Sequence, residues 1–458
     1  MTISFSPSES ATRRVDDALA RAADRAALGA FVCLDPVGAR RAAQEADRLD
    51  VAQRAIRPLH GMPIAIKDNI DVAGLPTTAG SPALAGHVPR HNAAAVERLV
   101  AAGAIVIGKT NLHEFALGVT TNNAAFGPAR NPYAPDRIAG GSSGGSAVAV
   151  AAGLVPAALG TDTGGSIRIP AALCGVVGFR PTMGRWPSDG VVPISITRDT
   201  VGPIARSVAD CALLDAVVCK KPLMLPAARL DGLRLGVPRR LFWEDVEPVV
   251  AAAGEAVLMR LMSAGVTLVP CDVAIDGEEC AQAGLVIAMA ENLAGLRRYF
   301  ESHGLSCDLR RIAAAVAGAD VQALFARLLS ADAPTPADYA RALHVQRRAF
   351  QAAYTRCFAE KRIEALVFPT TPLPAARIGE DDVVELCGRP VSTFFAYTRN
   401  AGPASVVGLP SISLPMGLNE AGLPLGIELD GPAGTDRRLL AIALAIEACL
   451  PALPPPPQ

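Results

Sequence analysis

The chain lacks an excess of charge of either sign. Its 458 residues carry 43 Lys and Arg against 44 Asp and Glu, a formal net charge of −1. Nucleic-acid binders and membrane-surface proteins use a basic excess as their electrostatic footprint, so neither partner is expected, and a small, weakly charged molecule is. The ten cysteines, at positions 33, 174, 211, 219, 271, 280, 307, 357, 387 and 449, contain no Cys-x-x-Cys and no Cys-His cluster at zinc-finger spacing. They read as free thiols. The first ten residues, Met-Thr-Ile-Ser-Phe-Ser-Pro-Ser-Glu-Ser, show no basic segment followed by an apolar one. No signal peptide is expected, and a cytoplasmic, reducing location follows. Ile138 to Gly160 carries no charge and is long enough to cross a bilayer, but six glycines, three serines and Pro156 make it a poor lipid-facing helix. No internal repeat is present.

What the chain has is apolar material: half of it is hydrophobic, enough for a large core. Length alone allows roughly three domains of about 150 residues, yet the strand and helix patterns read as one continuous α/β domain. Helical spacing across residues 10–55, broken near Gly29 to Pro36, predicts two outer helices. Met62 to Ile66 reads as a buried strand that delivers Lys67 at its C-terminal end. Helix is predicted for Asn92 to Ala102 and Ser146 to Ala152, and strand for Ala104 to Ile107 and Val155 to Gly160. This alternation implies a large mixed, twisted sheet covered by helices on both faces. Long helical patterns at Glu247 to Ser263, Glu278 to Arg298 and Ala337 to Lys361, with a strand at Val266 to Pro270, mark residues 222–362 as a helical excursion. Leu366 to Pro369 and Ile412 to Pro415 then restore strand. The expected layout is N-terminal helices over 1–60, a core over 61–221, the excursion over 222–362, completion of the sheet over 363–450, and a frayed tail over 451–458.

Two glycine-serine clusters stand out, Gly140-Gly141-Ser142-Ser143-Gly144-Gly145-Ser146 and Thr161-Asp162-Thr163-Gly164-Gly165-Ser166, with Lys67 well upstream. Glycine leaves backbone amides unshielded, so a Thr-Gly-Gly-Ser turn can aim several N–H donors at one oxygen beside a hydroxyl. Amide hydrolysis needs an activated nucleophile, a proton for the departing nitrogen and an oxyanion site, and these residues supply all three. A lysine base working at about pH 7 to 8 must be neutral, so its pKa has to fall from ~10.4 by roughly 2 to 3. Burial does this, and an adjacent carboxylate opposes it. Asp68 follows directly, but strand alternation turns it to the opposite face.

Two motifs mimic other chemistry. Gly103 to Thr110 fits G-x-x-x-x-G-K-[ST], but its centre, Ala-Ile-Val-Ile, forms a strand where a phosphate cradle needs a flexible loop. His113-Glu114 opens like a zinc-protease motif, but Leu117 stands where the second histidine belongs. Pro89 between His87 and His91 argues against a helical metal pair. No metal or organic cofactor is expected.

The spacing of Lys67, Ser142 and Ser166 resembles the Ser-cisSer-Lys arrangement of the amidase signature family, and Gly61 to Asn69, Gly103 to Gly118, Asn131 to Ser146, Leu159 to Pro181 and Thr197 to Asp210 follow its pattern. The resemblance implies that Ser166 is the acyl-forming nucleophile, Ser142 the relay on a cis peptide bond, and Lys67 the general base. It implies an oxyanion hole of the Thr163, Gly164, Gly165 and Ser166 amides, with Ser143, Asp162 and Arg168 orienting the site. Arg185 to Ser195, Thr197-Arg198-Asp199-Thr200, Thr121 to Gly127 and Asp430 to Asp436 look like the indoleacetamide and mandelamide hydrolase branch. That favours a primary amide of an arylacetic or aryl-hydroxyacetic acid, and leaves room for a homodimer. Aromatics are only 4% of the chain, so Phe394, Phe395 and Tyr397, with Trp186, are the candidate walls of an aryl pocket. Two other readings remain open: the amidase subunit of a tRNA-dependent amidotransferase, and a catalytically silent binding protein on the same fold.

Overall fold

In the computed structural model, which describes residues 9–457, eleven strands form one sheet. In chain order they are β1 (Phe31–Leu34), β2 (Met62–Lys67), β3 (Ala104–Thr110), β4 (Ala157–Asp162), β5 (Val177–Arg180), β6 (Thr200–Ala205), β7 (Arg234–Pro238), β8 (Thr267–Cys271), β9 (Ala365–Pro369), β10 (Ser411–Leu418) and β11 (Pro424–Asp430). Their spatial order is β1-β3-β2-β4-β6-β5-β10-β11-β9-β7-β8. The sheet is mixed: β3-β2-β4 and β9-β7-β8 are parallel, and the strands between β4 and β9 run antiparallel. The expected α/β architecture is present.

The central strands are apolar on both sides because helices cover both faces. Along β2, Ile64 and Ile66 join one buried cluster with Val96, Leu99 and Leu440, whereas Ala65 joins the other with Ala147 and Val150. Strand alternation thus reads directly as two cores. Small residues on the second side let the helix Gly144–Ala151 lie close to the sheet. A Cβ on Gly145 would stand 2.5 Å from the backbone of Ala30 and Asn111, so only glycine permits the approach.

Three expectations are revised. The break near Gly29 to Pro36 holds the edge strand β1, antiparallel to β3; its four residues are half-buried and show no alternation. The 222–362 excursion is partly sheet: besides the strand expected at Val266 to Pro270, observed at Thr267–Cys271, it supplies β7, and both extend the sheet in parallel from β9. The tail is not wholly frayed, since Tyr133 Oη donates to the Pro454 carbonyl at 2.8 Å. The reading of the N-terminal sequence falls largely on residues 1–8, outside the described residues. Among the described residues no helix is long and apolar enough to cross a membrane.

Gly145→Ala is expected to destabilise the protein by about 1–3 kcal/mol, because the clash is with backbone and cannot relax by a rotamer change. A thermal unfolding midpoint equal to that of the wild type would refute this close approach.

Candidate active site

Three sequence-distant segments meet at the C-terminal end of β2. Lys67, the last residue of that strand, is fully buried, and its Nζ donates to Ser142 Oγ and to Thr161 Oγ1, each at 2.8 Å. Asn69 Nδ2 also donates to Thr161 Oγ1, at 3.1 Å. As strand alternation requires, Asp68 faces away: its Oδ1 lies 3.1 Å from Lys109 Nζ, and its Oδ2 accepts from the Thr78 amide and hydroxyl. Burial lowers the Lys67 pKa from its ordinary value to about 7, against an upward pull from Asp162 and Asp199. Lys109, the lysine of the P-loop look-alike, is held in β3 by Asp68, Thr77 and the Pro76 carbonyl.

The Gly141–Ser142 peptide bond is cis. The Ser143 amide donates to the Ser166 carbonyl at 3.1 Å, which ties the two glycine-serine segments together, and Ser143 Oγ donates to the Thr161 carbonyl at 3.2 Å. In the second segment the buried Asp162 carboxylate accepts from the Gly165 and Ile167 amides at 2.9 and 3.2 Å, and from Arg168 and Arg180. These cations hold its pKa far below the usual carboxylate range despite burial. Arg168 reaches on to Glu428 and to Ser405. The Thr163, Gly164 and Ser166 amides have no hydrogen-bond partner among the described residues, and all three residues line a cavity of about 770 Å³. The Ser166 hydroxyl is likewise unbonded.

The oxyanion expectation is corrected at one position. The Gly165 amide is spent on Asp162 and Gly165 does not line the cavity, so the free donors are those of Thr163, Gly164 and Ser166. Of the four aromatics expected to wall a pocket, two line the cavity and two do not. Phe394 and Phe395, edge to face with ring centroids 5.5 Å apart, line the cavity. Trp186 does not: it is 2% exposed, packed in the core, and its Nε1 donates to Asp215. Tyr397 is also buried, its hydroxyl bridging the Pro374 carbonyl and the Ala376 amide. Both have polar tips that find partners away from the cavity.

Several contributors were not anticipated. Arg180 joins Asp162, Asp199 accepts from Thr163 Oγ1 at 2.6 Å, and Leu285 and Met289 bring the helix Gly277–Ser302 to the cavity wall. A buried arginine closing an apolar strand, as Arg180 closes β5, was the available signal; the helix side chains gave none, because their spacing is that of ordinary core packing. His87 sits with Asp71 and His303, ligand-type atoms within 4.8 Å. Tyr299 and His303 hydrogen-bond Asp71 there, and His87 Nε2 contacts Tyr299 Oη.

Asp162→Asn keeps the shape but removes the anion, and leaves Arg180 without a carboxylate partner. Breaking a buried pair on one side costs about 3–5 kcal/mol, so a lower urea midpoint is expected; an unchanged midpoint would mean that the Arg168–Glu428 pair carries the cluster alone.

Comparison with known proteins agrees with the geometry. A family model described as Amidase matches residues 13–440. The indoleacetamide hydrolase of Agrobacterium vitis is 42% identical over 436 residues, covering 95% of this chain and 93% of that protein. The mandelamide hydrolase of Pseudomonas putida is 40% identical over 457 residues, 96% and 88% of the two chains. The crystal structure of native peptide amidase from Stenotrophomonas maltophilia superimposes with a TM-score of 0.83 at 34% identity, over 98% and 95% of the two chains. The chain belongs to the Amidase family, and the protein is an amide hydrolase.

Proposed function

We propose that the protein hydrolyses the primary amide of an arylacetic or aryl-hydroxyacetic acid to the carboxylate and ammonia, through an acyl-enzyme on Ser166. The observation that carries this reading is a buried lysine with a lowered pKa, hydrogen-bonded to the Ser142 and Thr161 hydroxyls, with the Ser142 segment tied through the Ser143 amide to Ser166, whose hydroxyl opens into an apolar cavity. The names and identities of the two hydrolase relatives support the acyl class.

Neutral Lys67 takes the Ser142 hydroxyl proton as Ser142 takes that of Ser166, whose oxygen attacks the amide carbonyl. The tetrahedral oxyanion is held by the free amides of Thr163, Gly164 and Ser166. Ser142 returns a proton to the nitrogen, the C–N bond breaks and ammonia leaves. A water molecule then gives its proton along the same path, attacks the ester carbonyl and releases the acid, which restores Ser166. The Phe394 and Phe395 rings, with Leu285 and Met289, offer an apolar wall to an aryl group. The ten free cysteines fit work in the reducing cytoplasm.

Ser166→Ala is expected to lower kcat for ammonia release from mandelamide, phenylacetamide or indole-3-acetamide by roughly 10⁴- to 10⁶-fold; activity within tenfold of wild type would remove Ser166 as nucleophile. The lysine supplies a second check. With its pKa lowered to about 7, Lys67 is protonated and inert below that pH, so kcat/KM should climb about tenfold per pH unit on the acid side and level off above. A flat profile across neutrality would exclude Lys67 as the base.

A further inference from the structure

Arg198 is a buried cation that no carboxylate pairs with directly among the described residues. It lies in the turn before β6, is 6% exposed and lines the cavity. One terminal nitrogen donates to the Gly284 carbonyl in the helix Gly277–Ser302. Its Nε has no partner. Among the described residues no carboxylate lies within ion-pair distance of its guanidinium, in contrast to Arg168, Arg180 and Arg185, which pair with Asp162, Glu428 or Asp215. The neighbouring Asp199 carboxylate is already committed to Thr163 Oγ1 and to the Ile194 and Ser195 amides. Burial, with the like charges of Arg180 and Arg347, lowers the Arg198 pKa to about 10 against an upward pull from Cys280 and Asp199, which still leaves it a cation near neutrality.

Leaving a guanidinium buried and unneutralised is costly unless something fills its donors. The other terminal nitrogen of Arg198 makes no hydrogen bond and stands 3.7 Å from where a Cβ on Gly164 would be. It therefore adjoins the turn whose free amides face the cavity. Arg198 and the free amides line the same cavity, so a substrate held by its carbonyl oxygen on those amides would carry its α-carbon substituents in the space that the guanidinium also lines.

We propose that Arg198 binds an oxygen carried on the α-carbon of the substrate, a hydroxyl or a carboxylate, so that the site prefers α-oxygenated aryl amides to plain arylacetamides. The proposal rests on the acyl-transfer reading above and names the substrate class within it. Arg198 is a specificity residue in this account, with Gly284 holding one end of its guanidinium and the substrate taking the other.

The test is ammonia release from phenylacetamide, mandelamide and the monoamide of phenylmalonic acid by the wild type, Arg198→Lys and Arg198→Met. A hydrogen bond to a charged group corresponds to roughly ten- to a hundredfold in kcat/KM. The wild type is expected to favour at least one α-oxygenated amide over phenylacetamide by that factor, mainly through KM. Arg198→Met is expected to bring the ratio towards one and Arg198→Lys to keep part of it. Comparing ratios between variants cancels the intrinsic reactivities of the amides. A larger gain for the monoamide identifies a carboxylate as the bound oxygen, and a larger gain for mandelamide a hydroxyl.

A wild-type ratio at or below one for both oxygenated amides overturns the proposal, as does an unchanged ratio in a folded Arg198→Met protein, and both leave the hydrolase reading standing. If Arg198→Met does not fold, competitive inhibition of the wild type decides: mandelate or phenylmalonate should bind at least tenfold tighter than phenylacetate, and equal binding overturns the proposal. Turnover of none of the three amides, or of indole-3-acetamide, sinks the arylacetamide reading instead; direct calorimetric binding of the same acids then still judges Arg198.

Discussion

The Asp162 carboxylate, buried at the end of β4, organises everything around it. It accepts from two amides of its own turn and from the Arg168 and Arg180 side chains, and Arg168 extends the network to Glu428 on β11 and Ser405 on the helix Thr393–Val407. Both strands lie near the middle of the sheet, so one carboxylate couples the backbone shape at Ser166 to sheet order. Buried charges of this kind persist only when each has partners with good geometry. Because Gly165 is bound to Asp162, its neighbours Thr163, Gly164 and Ser166 are left with unbonded amides at the cavity.

The same saturation governs Lys67. The two acids whose fields reach it, Asp162 and Asp199, are occupied by arginines, amides and the Thr163 hydroxyl, and neither pairs with it directly. Lys67 is left with hydroxyl partners and is itself fully buried, so desolvation outweighs the distant negative charge. Asp68, next in sequence, is kept out of the balance by the pleat of the strand and by Lys109. A lysine pKa near neutrality is therefore a property of how neighbouring charges are already paired. Arg198 shows the complementary case, a cation whose nearby acid is committed elsewhere and whose free donor meets the cavity.

The legible parts of the fold were the continuous apolar strands β2, β3 and β4, since strands covered on both faces need no alternation and stand out as short apolar runs between turns. β1 and β7 were not legible: Phe31–Leu34 is short and half-buried, and Arg234–Pro238 is a five-residue strand that follows a stretch broken by Pro222, Pro226 and Gly232. In the site, the glycine-serine segments and Lys67 were legible because their residue types are unusual in combination. Of the four aromatics singled out, composition could not separate Phe394 and Phe395, which meet the cavity, from Trp186 and Tyr397, which bury their rings and satisfy their polar tips inside.

By itself the sequence determined the α/β class, the near-zero charge that disfavours polyanion partners, and the identities of Lys67, Ser142 and Ser166 with their glycine-rich surroundings. These are local properties, carried by residue type, short-range backbone preference and hydrophobic period. Only the tertiary structure decided which amides of the Thr163–Ser166 turn remain free, how far Lys67 is shifted, which aromatics wall the cavity, and that Arg198 has no direct ion-pair partner among the described residues. Each of those depends on groups far apart in the chain, such as Arg168 with Glu428 and Arg198 with Gly284, because desolvation and hydrogen-bond satisfaction are set by what surrounds a group in space.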